Sequence, residues 1–86
     1  MDFDSIWSNI IRHAGEPFYT IRGQQFAYRV EGEHVITDRK KSRIPKSDFE
    51  RTSHIESLTN PGQINEAVWG PSYVYAILTD DRVKIS

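Results

Sequence analysis

Six of the chain's eleven lysine and arginine residues lie in one stretch of fourteen, DRKKSRIPKSDFER, at positions 38–51. Arg39, Lys40, Lys41, Arg43 and Lys46 follow one another with no acid among them, and Arg51 flanks them. Cations at this density can neutralise several phosphates of a nucleic-acid backbone, contacts that position a protein without reading base sequence. The same residues can also form a solvated connection that keeps a sheet edge from pairing with another chain. Acids at both ends, Asp38 on one side and Asp48 with Glu50 on the other, oppose a phosphate. Arg22 and Arg29 would extend the basic patch if they share its face, and Tyr19 or Tyr28 could stack on a base if either points outward.

Other chemistry finds little support. His13, His34 and His54 are the three histidines, and none belongs to a closely spaced ligand pair of the kind zinc sites use. No metal or other cofactor is expected. Asp38, Arg39 and Lys40 match the D-x-K half of a metal-dependent nuclease core, but such a core needs a second upstream acid on a substantial sheet. Glu31 and Glu33 are too close in sequence to be obvious partners. No cysteine, G-x-S-x-G elbow or G-x-x-x-x-G-K loop occurs. Ser53 and His54 are adjacent, so on a helix they point apart and cannot form a nucleophile–base pair. The expectation is a chain without catalysis or a small-molecule substrate.

A second candidate surface lies in VWGPSYVYAIL, positions 68–78. Aromatics at this density serve both as core and as interface anchors. Trp69 and Tyr73 are the candidates for contact with a protein partner or a second copy, while Val74, Ile77 and Leu78 read as core.

The elements that position these residues belong to one domain, positions 1–86. A chain of 86 residues buries about 60–65% of its unfolded surface, enough for one modest core and little for a deep cleft. Ten aromatic residues supply that core, and a net charge of -1 argues against coating nucleic acid by bulk charge. No apolar run approaches the ~20 residues that span a bilayer, and the acidic start MDFDSIW lacks a signal peptide's basic region. With no cysteine to staple a secreted miniprotein, a cytoplasmic location is expected.

Phe3, Ile6, Trp7, Ile10, Ile11 and Ala14 recur at helical spacing, with Asp2 or Asp4 as cap and Gly15 and Pro17 as stop signals. Three strands are expected from PFYTI, QQFAYRV and EHVITD, joined at Arg22–Gly23 and at Glu31–Gly32 into an antiparallel meander. Phe26, Tyr28 and Val30 alternate toward the core. Ser47 and Glu50 fit a capping box, which predicts a short helix from Asp48. Asn60 and Pro61 open another helix that Gly70 ends. The stretch from Ser72 to Asp80 is ambiguous between strand and helix, and its spacing favours helix, with RVKI as a possible final strand. The expected fold is α+β: a three-stranded antiparallel sheet covered on one face by an N-terminal helix and short C-terminal helices.

Two stretches, FAYRVEGEHVITDRKKSRIPKSDFE and GPSYVYAILTDDR, resemble segments of a small bacterial domain family with no assigned activity. The resemblance covers most of the chain from Phe18 onward. It implies a compact autonomous module and brings no catalytic residues to transfer. The sequence therefore points to a small non-catalytic binding module, for a protein partner or an accessory role, with nucleic acid as the alternative.

Overall fold

The computed structural model describes residues 3–39, 43–55, 62 and 70–84. The class is α+β, as expected, with helices α1 (Phe3–Arg12), α2 (Lys46–Ser53) and α3 (Pro71–Thr79) and strands β1 (Phe18–Tyr19), β2 (Gln25–Phe26), β3 (Tyr28–Glu31), β4 (His34–Thr37) and β5 (Arg43–Pro45). Among the described residues no helix is long and apolar enough to cross a membrane.

In α1 the i, i+3, i+4, i+7 stripe buries Phe3, Ile6, Trp7 and Ile10. Ile11 departs from the expected face and is 50% exposed. The helix ends at Arg12, and Ala14 beyond it still packs partly against the core. Gly15 follows with φ +91°, and its N–H donates to the Tyr28 carbonyl at 2.9 Å.

The strands form two sheets instead of one meander. β1 pairs only with β2, in the register Phe18↔Phe26, while the three-stranded sheet runs β3-β4-β5, all antiparallel. QQFAYRV therefore serves both sheets, and the changeover is at Ala27. There Asp38 supplies both partners: its N–H donates to the Ala27 carbonyl at 3.0 Å, and its Oδ1 accepts the Ala27 N–H at 3.1 Å. The inward alternation of Phe26, Tyr28 and Val30 survives the changeover, because side-chain period depends on the extended backbone and not on which strand is the neighbour. PFYTI is thus not the third strand of the main sheet. Arg43–Pro45, expected as part of a connection, takes that place.

β5 runs straight into α2, with Pro45 (φ −69°, ψ 149°) as the residue before the helix. The helix starts at Lys46, two residues earlier than expected, so Ser47 and Glu50 lie inside it. No side-chain hydrogen bond caps it, and the expected box does not form. Asp48 is buried instead, bonded to Arg51. At the C-terminal side, Gly70 precedes α3 in the left-handed region, φ +61°. A Cβ there would lie 3.2 Å from Tyr73 and 3.3 Å from Ile44, so the position favours glycine on two counts. The Ser72 to Asp80 stretch is helical, as its spacing favoured. The helix expected from Asn60 lies outside the described residues. Residues 81–83 form a turn and not the start of a strand: the Val83 and Lys84 N–H groups both donate to the Asp80 carbonyl at 2.9 Å.

Helices α1, α2 and α3 pack on one face of the β3-β4-β5 sheet. Tyr28, Val35 and Ile44 point from that face into a cluster with Trp7, Phe49, Tyr73, Val74 and Ile77. Ring contacts join the layers: Trp7 to Phe49 at 6.2 Å, Phe18 to Tyr28 at 5.2 Å, and Phe26 to Tyr73 edge-on at 4.9 Å. Two polar groups sit deep in this layer. The Tyr28 hydroxyl donates to the Ile10 carbonyl at 2.6 Å, and burial pushes its pKa up. The Thr37 hydroxyl, beside it in register, is fully buried with no hydrogen-bond partner. An orphaned hydroxyl costs its desolvation, whereas a satisfied one contributes about 1 kcal/mol net. Tyr28→Phe should therefore lose about 1–2 kcal/mol, and Thr37→Val should be no less stable than the parent, with up to about 1 kcal/mol gained. Urea unfolding of the two variants checks both signs.

Candidate binding surface

Directly paired residues across a sheet point to the same side. Arg29, Ile36 and Arg43 are cross-strand partners in one row on the side facing away from the helices. Glu31, His34 and Pro45 form the adjacent row. Glu31 links the two arginines: one carboxylate oxygen accepts from Arg29 Nε at 2.6 Å, and the other lies 3.5 Å from Arg43 Nη1. The Arg29 hydrogen bond is the main reason the Glu31 carboxyl stays ionised below its usual range. Ile36 is 4% exposed although it stands on this outer face, apart from the main core. Arg29 and Arg43 flank it in register, one on each neighbouring strand. Beside Ile36 lies a shallow hollow of about 160 Å³ lined by Ala27, Tyr28, Arg29, Ile36 and Asp38.

The sequence-predicted basic set divides. Arg43 belongs to the outer face, and Arg39 is exposed just beyond the end of β4. Lys40 and Lys41 lie outside the described residues. Lys46 turns toward the helical layer, 5.5 Å over the Trp7 ring, with Glu33 at 3.9 Å. Arg51 is held by Asp48 on α2. Arg29 does share the face of Arg43, whereas Arg22 sits on the separate β1–β2 hairpin. Of the two tyrosines considered for stacking, Tyr28 is buried and Tyr19 is exposed, its hydroxyl donating to Gln25 Oε1 at 3.4 Å. Tyr73, a candidate partner anchor, is 6% exposed and packs edge-on against Phe26, so its place is in the core. Trp69 lies outside the described residues.

The remaining chemistry-bearing residues have structural tasks. Asp38 holds the Ala27 backbone, Ser53 donates to the Glu50 carbonyl at 2.7 Å, and among the described residues no three potential metal ligands cluster.

Sequence reasoning missed Arg82. Its guanidinium grips Asp80 through Nε at 2.9 Å and Nη2 at 3.0 Å, Glu16 through Nη1 at 3.0 Å, and the Pro17 carbonyl at 2.8 Å. The Phe18 ring lies 3.9 Å beneath it. Glu16 Oε2 also accepts from His13 Nδ1 at 2.9 Å. Nothing local in Asp-Asp-Arg signals a partner 66 positions away. The donors are committed to protein, so this cluster ties the chain together more than it offers a site. His13 first, then Arg82, hold the Glu16 carboxyl below its usual range, and Arg82 does the same for Asp80.

Comparison with protein-family models, curated proteins and solved structures found no match for this chain.

Lowered carboxyl pKa values make a contribution that is complete above the ordinary carboxylate range and is lost as pH falls through the folded-state values. Arg82→Ala should accordingly be less stable than wild type at pH 7, and the gap should narrow below about pH 4 as Glu16 and Asp80 protonate. Urea midpoints across that range test it; a gap independent of pH would contradict the ion-pair account.

Proposed function

We propose that this chain is a small non-catalytic module that binds another protein through the outer face of the β3-β4-β5 sheet. The observation that carries this reading is the sharing of Glu31 between Arg29 and Arg43 over the apolar side chain of Ile36. Charges of both signs around an aliphatic centre suit a protein surface, whose own charges alternate, better than a run of phosphates. Lys46 and Arg51, paired with Glu33 and Asp48, add further internal neutralisation. The hollow on this face is shallow, as protein contacts commonly are.

Nucleic acid is the second reading, favoured by one specific feature. Arg29 and Arg43 lie on one face, and Arg39, Lys40 and Lys41 belong to the connection beside it. A phosphate-driven complex weakens steeply as salt rises.

Selection from a random peptide display library against the immobilised chain separates the two. The protein-binding reading expects enriched peptides whose binding drops at least about tenfold on the Arg29→Glu/Arg43→Glu double variant, one desolvated charged contact being worth that much. No enrichment, or enrichment indifferent to the double variant, counts against it. Titration with single-stranded and duplex DNA and RNA at two salt concentrations is the parallel arm. Tight, salt-sensitive binding abolished by Lys40→Glu/Lys41→Glu would move nucleic acid ahead.

A further inference from the structure

The hollow beside Ile36 has an aliphatic floor and a charged rim. Ala27 and Ile36 supply the floor, and Arg29 and Asp38 stand at its edge. The two acids nearby are already engaged: Asp38 Oδ1 holds the Ala27 N–H, and Glu31 spans Arg29 and Arg43. The cations are not used up. A guanidinium presents five N–H donors in a planar fork. Arg29 gives Glu31 its Nε, and Arg43 makes one longer contact of 3.5 Å. Both side chains remain more than half exposed, at 64% and 57%. Two guanidinium groups on this face thus share one carboxylate, and the unfilled donors are those of Arg29 and Arg43.

We infer that this hollow docks an extended acidic segment of a partner protein, with one aliphatic side chain over Ile36 and Ala27 and a neighbouring carboxylate on Arg29 and Arg43. The inference rests on the protein-binding reading and names the chemistry of its partner. A planar carboxylate fits the arginine fork in bidentate fashion. Closely spaced phosphates would meet Glu31 and Asp38 at the rim, and the lining residues offer no exposed aromatic ring on which a base could stack. Glu31 is then an internal competitor. It occupies a donor on each arginine that an incoming acid would otherwise take, so its removal should tighten the complex.

The experiment is a titration of the ¹⁵N-labelled chain with short acetylated peptides carrying a central Asp-Leu-Glu, Asp-Gly-Glu or Lys-Leu-Lys. Asp-Leu-Glu should shift the amide signals of Ala27, Arg29, Ile36 and Asp38 together. Asp-Gly-Glu should bind about tenfold more weakly, from loss of one buried aliphatic side chain. Lys-Leu-Lys should leave the signals in place. Arg29→Gln with Arg43→Gln, both at exposed positions, should weaken Asp-Leu-Glu about tenfold or more, while Glu31→Gln tightens it about threefold. A purely structural Glu31 would leave affinity unchanged, which overturns the competitor role. Shifts confined to other residues, or equal binding of Lys-Leu-Lys, overturn the docking itself. An oligodeoxythymidine that shifts this set when Asp-Leu-Glu does not would overturn it in favour of nucleic acid. Display-selected peptides that need Arg29 and Arg43 but carry no acidic segment with an aliphatic side chain would sink this inference alone; a library that yields no binder sinks the protein-binding reading as well.

Discussion

Tyr28 is the residue on which three parts of this small fold converge. Its hydroxyl satisfies the Ile10 carbonyl near the end of α1, its carbonyl accepts the Gly15 N–H beyond that helix, and its ring lies against Phe18 of the β1–β2 ribbon. Its backbone meanwhile opens β3 opposite Thr37. One side chain therefore fixes the helix end, the ribbon and the main sheet in one geometry. A chain of 86 residues buries one modest core, so a change at that position is felt by all three. The placement of Arg29 and Arg43 depends on it too, because a strand anchored at Tyr28 can present only its alternate residues outward.

The outer face illustrates how charge can be arranged without a net excess deciding the outcome. In a chain of net charge -1, the arginines of the sheet share an acid that sits between them. Exposed ion pairs of this kind stabilise little by themselves. Their effect is local: one carboxylate joins two guanidinium groups on the face of the sheet that turns away from the helices. The Arg82 cluster shows the opposite use of the same chemistry, with its donors turned inward on Glu16, Asp80 and the Pro17 carbonyl.

Helical periodicity identified α1 and its buried stripe, and spacing correctly favoured helix over strand for α3. The α+β class and the inward alternation of Phe26, Tyr28 and Val30 were also legible. What the pattern could not convey was pairing. A period of two reads the same whichever strand lies alongside, so the changeover at Ala27 left no trace in hydrophobicity, and its agent, Asp38, looked like part of a charge cluster. Arg43–Pro45 was hidden for a similar reason: three residues with one apolar side chain carry almost no strand signal. The capping box failed because the helix starts at Lys46, directly after Pro45 ends β5, which leaves Ser47 inside the helix and not at its cap. At the candidate surface, the basic residues were visible but their division was not. Lys46 and Arg51 are carried away by α2, while Arg29, distant in sequence, comes alongside Arg43 through Ile36.

The contacts of Arg82 and Val83 reach across nearly the whole chain: Arg82 to Glu16 spans 66 positions, and the Val83 carbonyl accepts from Asn9 Nδ2 across 74. Hairpins such as β3–β4 close over a few residues and can form while the polypeptide is still being made. Part of the surroundings of α1 lacks that locality: Asn9 waits for the Val83 carbonyl and Glu16 for the Arg82 guanidinium, so these contacts form only once synthesis has passed the turn that follows α3. The Arg82 clamp therefore registers a late step of assembly, after the hairpins have had time to close.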